Sequence, residues 1–323
     1  MPTSTDAPAD ATSEARSDAK GEEDSSSPGE LYLIDRLKEQ LDSLNEDEQN
    51  ALANILVRGT RDREELGPVD EVSLLANALK SDPETDDWKA LAKAEEKVGP
   101  DPIRKYPDAE RIELPKEMVP IDDSLAETIQ ERSSGRDYSG EPLTLPELST
   151  LLFLGYGVRD MMRAYNRPDM PKRTVPTSGG LQCAEIYVVV NAVEDIEKGL
   201  YHYHPVDHAL ERINRGNLRW KIEEVCPQQE WITNAGVMLF IAPVLDRVKW
   251  KYRRKAYRMT HVDTGIVTHN LHLVATGLDL ESCMVMGYQD EDASEFLELD
   301  GRSQFTVLAL TVGRKMPVPS RRG

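Results

Sequence analysis

The order of the predicted elements places this chain in the α+β or α/β class, with a mixed central sheet. Some segments carry apolar residues at helical spacing, whereas others are short runs of β-branched and aromatic residues. The two kinds of segment are interspersed along the sequence, and no internal repeat is visible. A chain of 323 residues, 39% of them hydrophobic, is long enough for one large or two ordinary domains and for a sizeable core.

The first 122 residues are predicted to lie outside the main domain. Residues 1–28 carry almost no large apolar side chain and cannot offset the entropy of ordering, so they are predicted to be a disordered tail. Residues 29–99 show helical spacing, as in Leu33, Leu37 and Leu41, and form a predicted helical extension. Residues 100–122 hold five prolines and no period, which predicts an extended arm.

Residues 123–316 form the predicted main domain, and residues 317–323 are a short tail. Helices are predicted at Ser124–Glu131 and from Leu145 to about Phe153, where Pro146 suits a first helical turn. Glu185–Asn191 and Gly236–Ala242 indicate buried strands. The other predicted elements are a hairpin of Leu200–Tyr203 and Ala209–Ile213, short helices at Leu218–Val225, Gln228–Thr233 and Ala293–Leu299, a long helix from Ala256 to about Leu278, and strands at Cys283–Gly287 and Phe305–Val312.

The composition excludes several classes of protein. A net charge of −19 argues against a broad nucleic-acid surface, because phosphates bind to basic faces. The longest apolar stretch, Val237–Leu245, is far shorter than the roughly 20 residues of a membrane-spanning helix. No secretory signal is visible, and Cys183, Cys226 and Cys283 provide neither a disulfide framework nor a zinc motif. A reduced, cytoplasmic protein is therefore expected.

Two arginines mark a candidate phosphate site. Arg132 and Arg136 flank the hydroxyl groups of Ser133 and Ser134 after the first predicted helix of the main domain. Guanidinium and hydroxyl groups that converge on one point suit a phosphate. The alternative is a solvated helix end.

Two further segments contain candidate binding residues. The run Thr177-Ser178-Gly179-Gly180 precedes a predicted buried strand, and paired glycines let backbone amides approach a flat ligand closely. Gly313-Arg314 follows the last predicted strand, where an arginine can reach back to a phosphate. The alternatives are an ordinary turn and a solvated C-terminal residue.

Together and in this order, the motifs resemble those of a known family. Residues 132–143, 145–158 and 176–190 are similar to the opening segment, next helix and glycine-rich loop of nitroreductase-fold flavoproteins of the SagB/ThcOx dehydrogenase type. Residues 199–203, 250–270 and 312–314 resemble the family's hairpin, long-helix region and end. The resemblance covers about residues 123–315 and implies a nitroreductase-like fold of the α+β class. Its central sheet is expected to be mixed, mostly antiparallel and flanked by helices.

The resemblance also implies a cofactor and a dimer. Members bind FMN non-covalently at a homodimer interface, and the protein supplies binding and electrostatics for the flavin chemistry. The residues that would hold the FMN phosphate and ribityl chain are Arg132, Ser133, Ser134, Arg136, Gly313 and Arg314. The residues that would lie along or support the isoalloxazine ring are Thr177, Ser178, Gly179, Gly180, His269 and Asn270.

Lys251 and Tyr252 are the candidate catalytic residues. The family's azoline oxidases use a Lys-Tyr pair near the flavin, and Lys251-Tyr252 is the matching pair. Oxidation of an azoline ring sends a hydride to the flavin and requires a base for the proton, a role that lysine can fill. The alternative is a basic helix start that docks on the acidic remainder of the chain or on a phosphate.

No metal site or hydrolase site is predicted. His202, His204 and His208, like His269 and His272, have spacings found in metal sites, but no carboxylate or cysteine clearly completes either set. There is no GxSxG elbow, P-loop or Rossmann fingerprint.

The sequence therefore predicts an FMN-dependent oxidoreductase that dehydrogenates azoline rings in a peptide or natural product. Its expected partners are a second copy of the chain and a cyclodehydratase or peptide substrate. Two alternatives stay open: an NAD(P)H-dependent nitro or quinone reductase, and a non-catalytic scaffold member of a peptide-modifying complex. In the scaffold alternative, residues 29–99 would dock the partner or a leader peptide.

Overall fold

The computed structural model describes residues 98–253 and 255–317. These residues belong to the second of two compact units, Leu79–Gly323, whereas the first unit, Met1–Ala78, lies outside the described residues. The predicted tail at 1–28 and the helical extension at 29–99, apart from Val98 and Gly99, also lie outside them.

Strands form a central sheet and a separate hairpin. The strands are β1 (Arg111–Glu113), β2 (Val158–Ala164), β3 (Arg167–Arg173), β4 (Ala184–Val190), β5 (Gly199–His204), β6 (Ala209–Arg215), β7 (Val237–Pro243), β8 (Leu280–Val285) and β9 (Leu308–Arg314). The sheet has seven strands in the order β1-β6-β5-β4-β7-β9-β8, and its neighbouring strands all pair antiparallel. The hairpin pairs β2 with β3.

The helices lie between the strands along the chain. They are α1 (Leu125–Glu131), α2 (Leu145–Tyr156), α3 (Arg219–Val225), α4 (Asp246–Tyr252), α5 (Lys255–Gly277) and α6 (Asp290–Phe296), with 3-10 turns at Ser178–Gly180 and Glu230–Asn234. Capping boxes begin α1 and α2, because Ser124 pairs with Glu127 and Thr144 with Glu147. Among the described residues, no helix is both long and apolar enough to cross a membrane.

The middle of the sheet is covered on both faces. Ile186, Val188 and Val190 of β4 join the core cluster that includes side chains of α2 and α5. Tyr187 and Val189 point to the opposite face and join the cluster that includes side chains of α3 and α6. Strand side chains alternate between the two faces of a sheet, and both faces are covered here, so β4 is buried along its whole length. The prediction of an α+β, nitroreductase-like fold with a mostly antiparallel central sheet flanked by helices is confirmed. The sheet was expected to be mixed, but all strand pairs of the described sheet are antiparallel.

Three elements were not predicted. β1 lies within the predicted arm and pairs with β6 at one edge of the sheet. The β2–β3 hairpin is exposed along most of β2, so it lacks the apolar alternation that identifies a strand in a sequence. α4 is a separate helix because the backbone of Arg253 has a φ of 48°, which interrupts the path into α5.

Candidate functional site

The predicted glycine loop is anchored to α5. Asp263 of α5 is buried, and both of its carboxylate oxygens accept a hydrogen bond from the Ser178 backbone N–H, at 3.0 and 2.9 Å. The Ser178 hydroxyl donates to the same carboxylate at 2.9 Å. Burial raises the pKa of Asp263, although the bonds from Ser178 and Cys183 oppose this effect. The loop that contains Thr177–Gly180 is therefore held at a fixed point on the long helix.

Gly179 and Gly180 share a backbone conformation that suits glycine, but only Gly179 is also closely packed. Both have positive φ, 59° and 69°, which glycine adopts without strain. A Cβ on Gly179 would lie 2.5 Å from the hydroxyl oxygen of Tyr252. A Cβ on Gly180 would meet no atom within 4 Å, so this residue faces open space.

The candidate catalytic pair lies beside this loop. Lys251 is only 8% exposed, and its Nζ lies 5.3 Å from the ring centroid of Tyr252. Lys251 Nζ also donates a hydrogen bond of 3.0 Å to the hydroxyl of Tyr165, which lies in the turn between β2 and β3. Tyr165 in turn donates to the carbonyl of Gly179. A buried ammonium group and two phenols thus surround the glycine loop.

Arg132 is held by a chain of hydrogen bonds that the sequence did not reveal. Its Nη1 donates to Nε2 of His272, 3.1 Å away, and His272 Nδ1 lies 2.6 Å from the hydroxyl of Ser282. Burial, followed by the neighbouring Arg132 and His269, lowers the pKa of His272 to about 4. The imidazole is therefore neutral near pH 7, with its acceptor lone pair toward Arg132 and its proton toward Ser282.

The other predicted phosphate ligands face different partners. Ser133, Ser134 and Arg136 are exposed, and the Arg136 guanidinium lies 5.4 Å from the ring centroid of Trp231. Arg314 pairs instead with Glu147. Arg132, Arg136 and Arg314 thus each have a different partner in the structure, namely His272, Trp231 and Glu147.

Asn270 has a structural partner, whereas Gly313 is closely packed. The side-chain amide of Asn270 donates to the carbonyls of Leu154 and Gly155, each at 2.9 Å, and so joins α5 to the end of α2. A Cβ on Gly313 would lie 2.8 Å from Tyr138. Gly313 therefore permits close packing at the end of β9.

A cavity of about 390 Å³ runs along the exposed face of α5. Thr174, Val175 and Pro176, just before the glycine loop, form one wall. The opposite wall is the α5 face with Val262, Gly265, Ile266, His269, Asn270 and Leu273. A Cβ on Gly265 would meet no atom within 4 Å, so the missing side chain leaves this part of the helix surface open.

The two predicted halves of the site contact α5 at different levels. Ser178 binds Asp263, whereas Arg132 binds His272, nine residues further along the helix. At a rise of 1.5 Å per residue, the two contacts are about 13 Å apart along the axis. The cavity lies along the same stretch of α5.

His202 of the hairpin lies at the centre of a buried polar network. His202 lies between Glu185 and Glu211, with its ring nitrogens 2.9 Å from an oxygen of each carboxylate. Arg247 of α4 pairs with the other oxygen of Glu185 at 2.5 Å. No cluster of metal-ligating side chains occurs among the described residues.

Comparison with known proteins agrees with this architecture. The model of the nitroreductase family matches residues 129–314. The chain belongs to the nitroreductase family. This nitroreductase-family chain is 33% identical over 210 residues to the protein MJ1384 of Methanocaldococcus jannaschii, which is named as a nitroreductase. The match covers 65% of this chain and 98% of that protein.

A peptide-processing protein is also among the relatives of this nitroreductase-family chain. The microcin B17-processing protein McbC of Escherichia coli is 26% identical over 150 residues, which cover 44% of this chain and 55% of McbC. The chain thus matches about half the length of McbC. The solved E. coli microcin synthetase complex McbBCD, with truncated pro-MccB17 bound, shares the fold with a TM-score of 0.53 and 20% identity, covering 86% of this chain and 97% of that chain. The resemblance inferred from the motifs is confirmed at the level of the family.

Sequence reasoning missed four residues that act on the predicted site. Asp263 and Glu147 lie in segments that resemble the family, but the sequence does not single out either as a site residue, and it offers His272 only as a metal candidate. Tyr165 belongs to no motif. The positive φ of 52° at Tyr165 is a structural signal with no counterpart in the sequence pattern.

Proposed function

We propose that this protein is an FMN-dependent dehydrogenase that oxidises azoline rings in a peptide to azoles. The observation that carries the proposal is the burial of Lys251 beside Tyr252 and the exposed glycine loop. A flavin enzyme that only exchanges hydride needs no such base, whereas azoline oxidation does. Similarity to McbC, which is named as a microcin-processing protein, supports a peptide substrate.

The residues present fit FMN in their shape and chemistry. The cavity along α5 and the open space at Gly180 and Gly265 provide room for a flat ring system. Arg132, with its orientation fixed by neutral His272, offers donors to a phosphate. We propose that Ser133, Ser134, Arg136 and Arg314 complete the phosphate grip. Thr177–Gly180, His269 and Asn270 would line or support the ring.

A homodimer would cover the exposed face of α5. Val262 and Ile266, one turn apart, are 56% and 37% exposed, and Leu273 lies further along the same face. An apolar stripe of this kind favours packing against another helix. We propose that a second copy of the chain packs here and that the flavin lies at this interface.

The chain's own contribution to the reaction is the removal and transfer of a proton. Azoline-to-azole conversion breaks two C–H bonds, one as a proton and one as a hydride. FMN, where it is bound, would supply the acceptor for the hydride, with dioxygen or another oxidant as the final electron acceptor. Lys251 Nζ, in its neutral form, takes the proton from the ring carbon, and Tyr252 orients the substrate or relays the proton. The azoline must come from cyclodehydration of a serine, threonine or cysteine residue, so a cyclodehydratase is the expected partner.

The first test is the visible absorption spectrum of the purified full-length protein, with mass identification of any released chromophore. We expect a yellow protein that releases about one FMN per chain. The second test compares Lys251→Met with the exposed control Lys249→Met in an assay of azoline-peptide oxidation. Lys251→Met should lower kcat about 100-fold or more with bound FMN unchanged, and Lys249→Met should not. A colourless protein that does not bind added FMN would favour the scaffold alternative.

The similarity to MJ1384 favours one second candidate, an NAD(P)H-dependent reductase of nitro compounds or quinones. Turnover of NADPH with a nitroaromatic acceptor separates the two activities. Fast nicotinamide oxidation that is insensitive to Lys251→Met would support the reductase.

A further inference from the structure

The turn between β2 and β3 places Tyr165 over the candidate catalytic lysine. The Tyr165 hydroxyl accepts a hydrogen bond from Lys251 Nζ at 3.0 Å and donates one to the carbonyl of Gly179 at 2.5 Å. The Lys251 ammonium also lies 4.5 Å from the centroid of the Tyr165 ring. One phenolic oxygen therefore joins the lysine to the glycine loop.

The conformation of Tyr165 is unusual for a large side chain. Tyr165 and Asn166 have φ values of 52° and 55°, as in the two-residue hairpin turns that favour asparagine, aspartate and glycine. Tyrosine at such a position strains the backbone, so the turn itself does not account for this residue. The side chain and its contacts provide a reason for its presence.

The rest of the turn is fixed by neighbouring groups. The Gly99 N–H donates to the Tyr165 carbonyl at 3.3 Å, and Arg167 Nη1 donates to the Gly99 carbonyl at 3.4 Å. The Trp250 ring packs edge-on against Tyr165, with 5.5 Å between centroids. These contacts hold the phenol in place independently of Lys251, as expected of a group that orients another.

We propose that Tyr165 is a positioning residue that fixes the Lys251 ammonium and the Gly179 carbonyl relative to each other. This inference rests on the proposed role of Lys251 as the base. An acceptor for Nζ restricts the rotamers of the lysine and so holds the amine at a fixed place. The carbonyl bond fixes the part of the loop that would lie along the flavin.

The first experiment needs neither substrate nor FMN. Full-length wild-type and Tyr165→Phe proteins are treated with limiting acetic anhydride, and modification of Lys251 relative to Lys249 is measured by mass spectrometry. Phenylalanine keeps the ring and its packing on Trp250 and removes only the hydroxyl. We expect the Lys251-to-Lys249 ratio to rise at least about threefold, because loss of the hydrogen bond leaves the Lys251 amine less restrained. An unchanged ratio would overturn the inference.

The matched control is Tyr201→Phe. It removes the hydrogen bond that the buried Tyr201 of β5 donates to the carbonyl of Glu197. This variant should leave the labelling ratio unchanged, and its melting temperature gives the cost of losing one phenolic hydrogen bond. If both variants raise the ratio equally, general loosening explains the result and the inference fails.

The second experiment separates positioning from structure. Tyr165→Phe should lower kcat about tenfold with KM and bound FMN unchanged. Combination with Lys251→Met should cause no further loss. Full activity of Tyr165→Phe, when Lys251→Met is inactive, overturns only the role of Tyr165. Full activity of Lys251→Met overturns the proposed function and with it this inference.

Discussion

Arg314 and Glu147 form a two-point ion pair that joins the end of β9 to the first turn of α2. Arg314 Nη1 and Nη2 lie 2.7 Å from Oε1 and Oε2 of Glu147, respectively. Glu147 also closes the capping box of α2 with Thr144. The arginine predicted to close on the FMN phosphate therefore already has an anionic partner, and a phosphate would compete with Glu147 for it.

Glu147→Gln should strengthen FMN binding. Glutamine can still close a capping box, but it removes the charge that neutralises Arg314. We expect the Kd for FMN, measured by flavin fluorescence, to fall about tenfold, which corresponds to about 1.4 kcal/mol. The exposed Glu141→Gln makes the same change in net charge nearby and should have little effect. Equal or weaker FMN binding by Glu147→Gln would contradict a phosphate role for Arg314.

His272 should make the protein less stable in mild acid. Burial and Arg132 hold its pKa at about 4, below the usual value near 6.5, so the unfolded chain takes up the proton first. The stability contributed by neutral His272 is complete above about pH 6.5 and is lost as the pH falls toward about 4. Urea unfolding at several pH values should show this decline, and His272→Gln should reduce it. The same decline in His272→Gln would show that other groups cause it.

His202 should have the opposite pH dependence. Burial alone would lower its pKa, but hydrogen bonds and charges from Glu185 and Glu211 outweigh burial, so the pKa lies above the usual value. Its contribution to stability is therefore complete below about pH 6.5 and is lost as the pH rises through the raised value. His202→Gln leaves Glu211 without its charged partner and removes one of the two cationic partners of Glu185, the other being Arg247, so it should lower the unfolding free energy by about 3 kcal/mol at pH 6. His261→Gln on α5 serves as the control, and a loss of stability in His202→Gln that did not shrink at higher pH would argue against a charged imidazole.

Gly265 should lower the stability of α5 but leave space in the cavity beside it. Glycine inside a helix costs about 0.5–1 kcal/mol relative to alanine, so Gly265→Ala should stabilise the flavin-free protein by about that amount. Gly265→Leu would fill the cavity and should lower flavin occupancy, dimer content or both, as measured by absorbance and light scattering. If Gly265→Leu kept the wild-type flavin content and the molar mass of the dimer, the cofactor and the second copy would have to bind elsewhere.

Elements with a strong local pattern could be predicted from the sequence. The long helix, found at Lys255–Gly277, and the buried strands β4 and β7 were predicted to within about two residues, because apolar spacing determines both. The β2–β3 hairpin was missed because it buries little, so its sequence of charged residues and methionines has no period. The break at Arg253 was missed because a single residue of positive φ leaves the helical spacing intact.

The types of site residue could be predicted more readily than their partners. The arginines and glycines belong to recognisable motifs, but their partners are distant in the sequence. Arg132 and its partner His272 are 140 residues apart, and Arg314 and its partner Glu147 are 167 residues apart. Lys251 and Tyr165 are separated by 86 residues. Such pairs are set by the fold as a whole, and no local spacing encodes them. The roles of the site residues toward FMN stay predictions.

The buried pair of Arg247 and Glu185 also determines the rotational setting of α4. Arg247 and Lys251 are one turn apart on α4 and so project from the same side of it. Turning α4 about its axis would separate Arg247 from the carboxylate of Glu185, which is itself only 1% exposed, and would leave the buried guanidinium without its carboxylate partner. The direction in which Lys251 points is thus coupled to a buried ion pair between α4 and the sheet, and a change at Glu185 is expected to shift the Lys251 side chain as well.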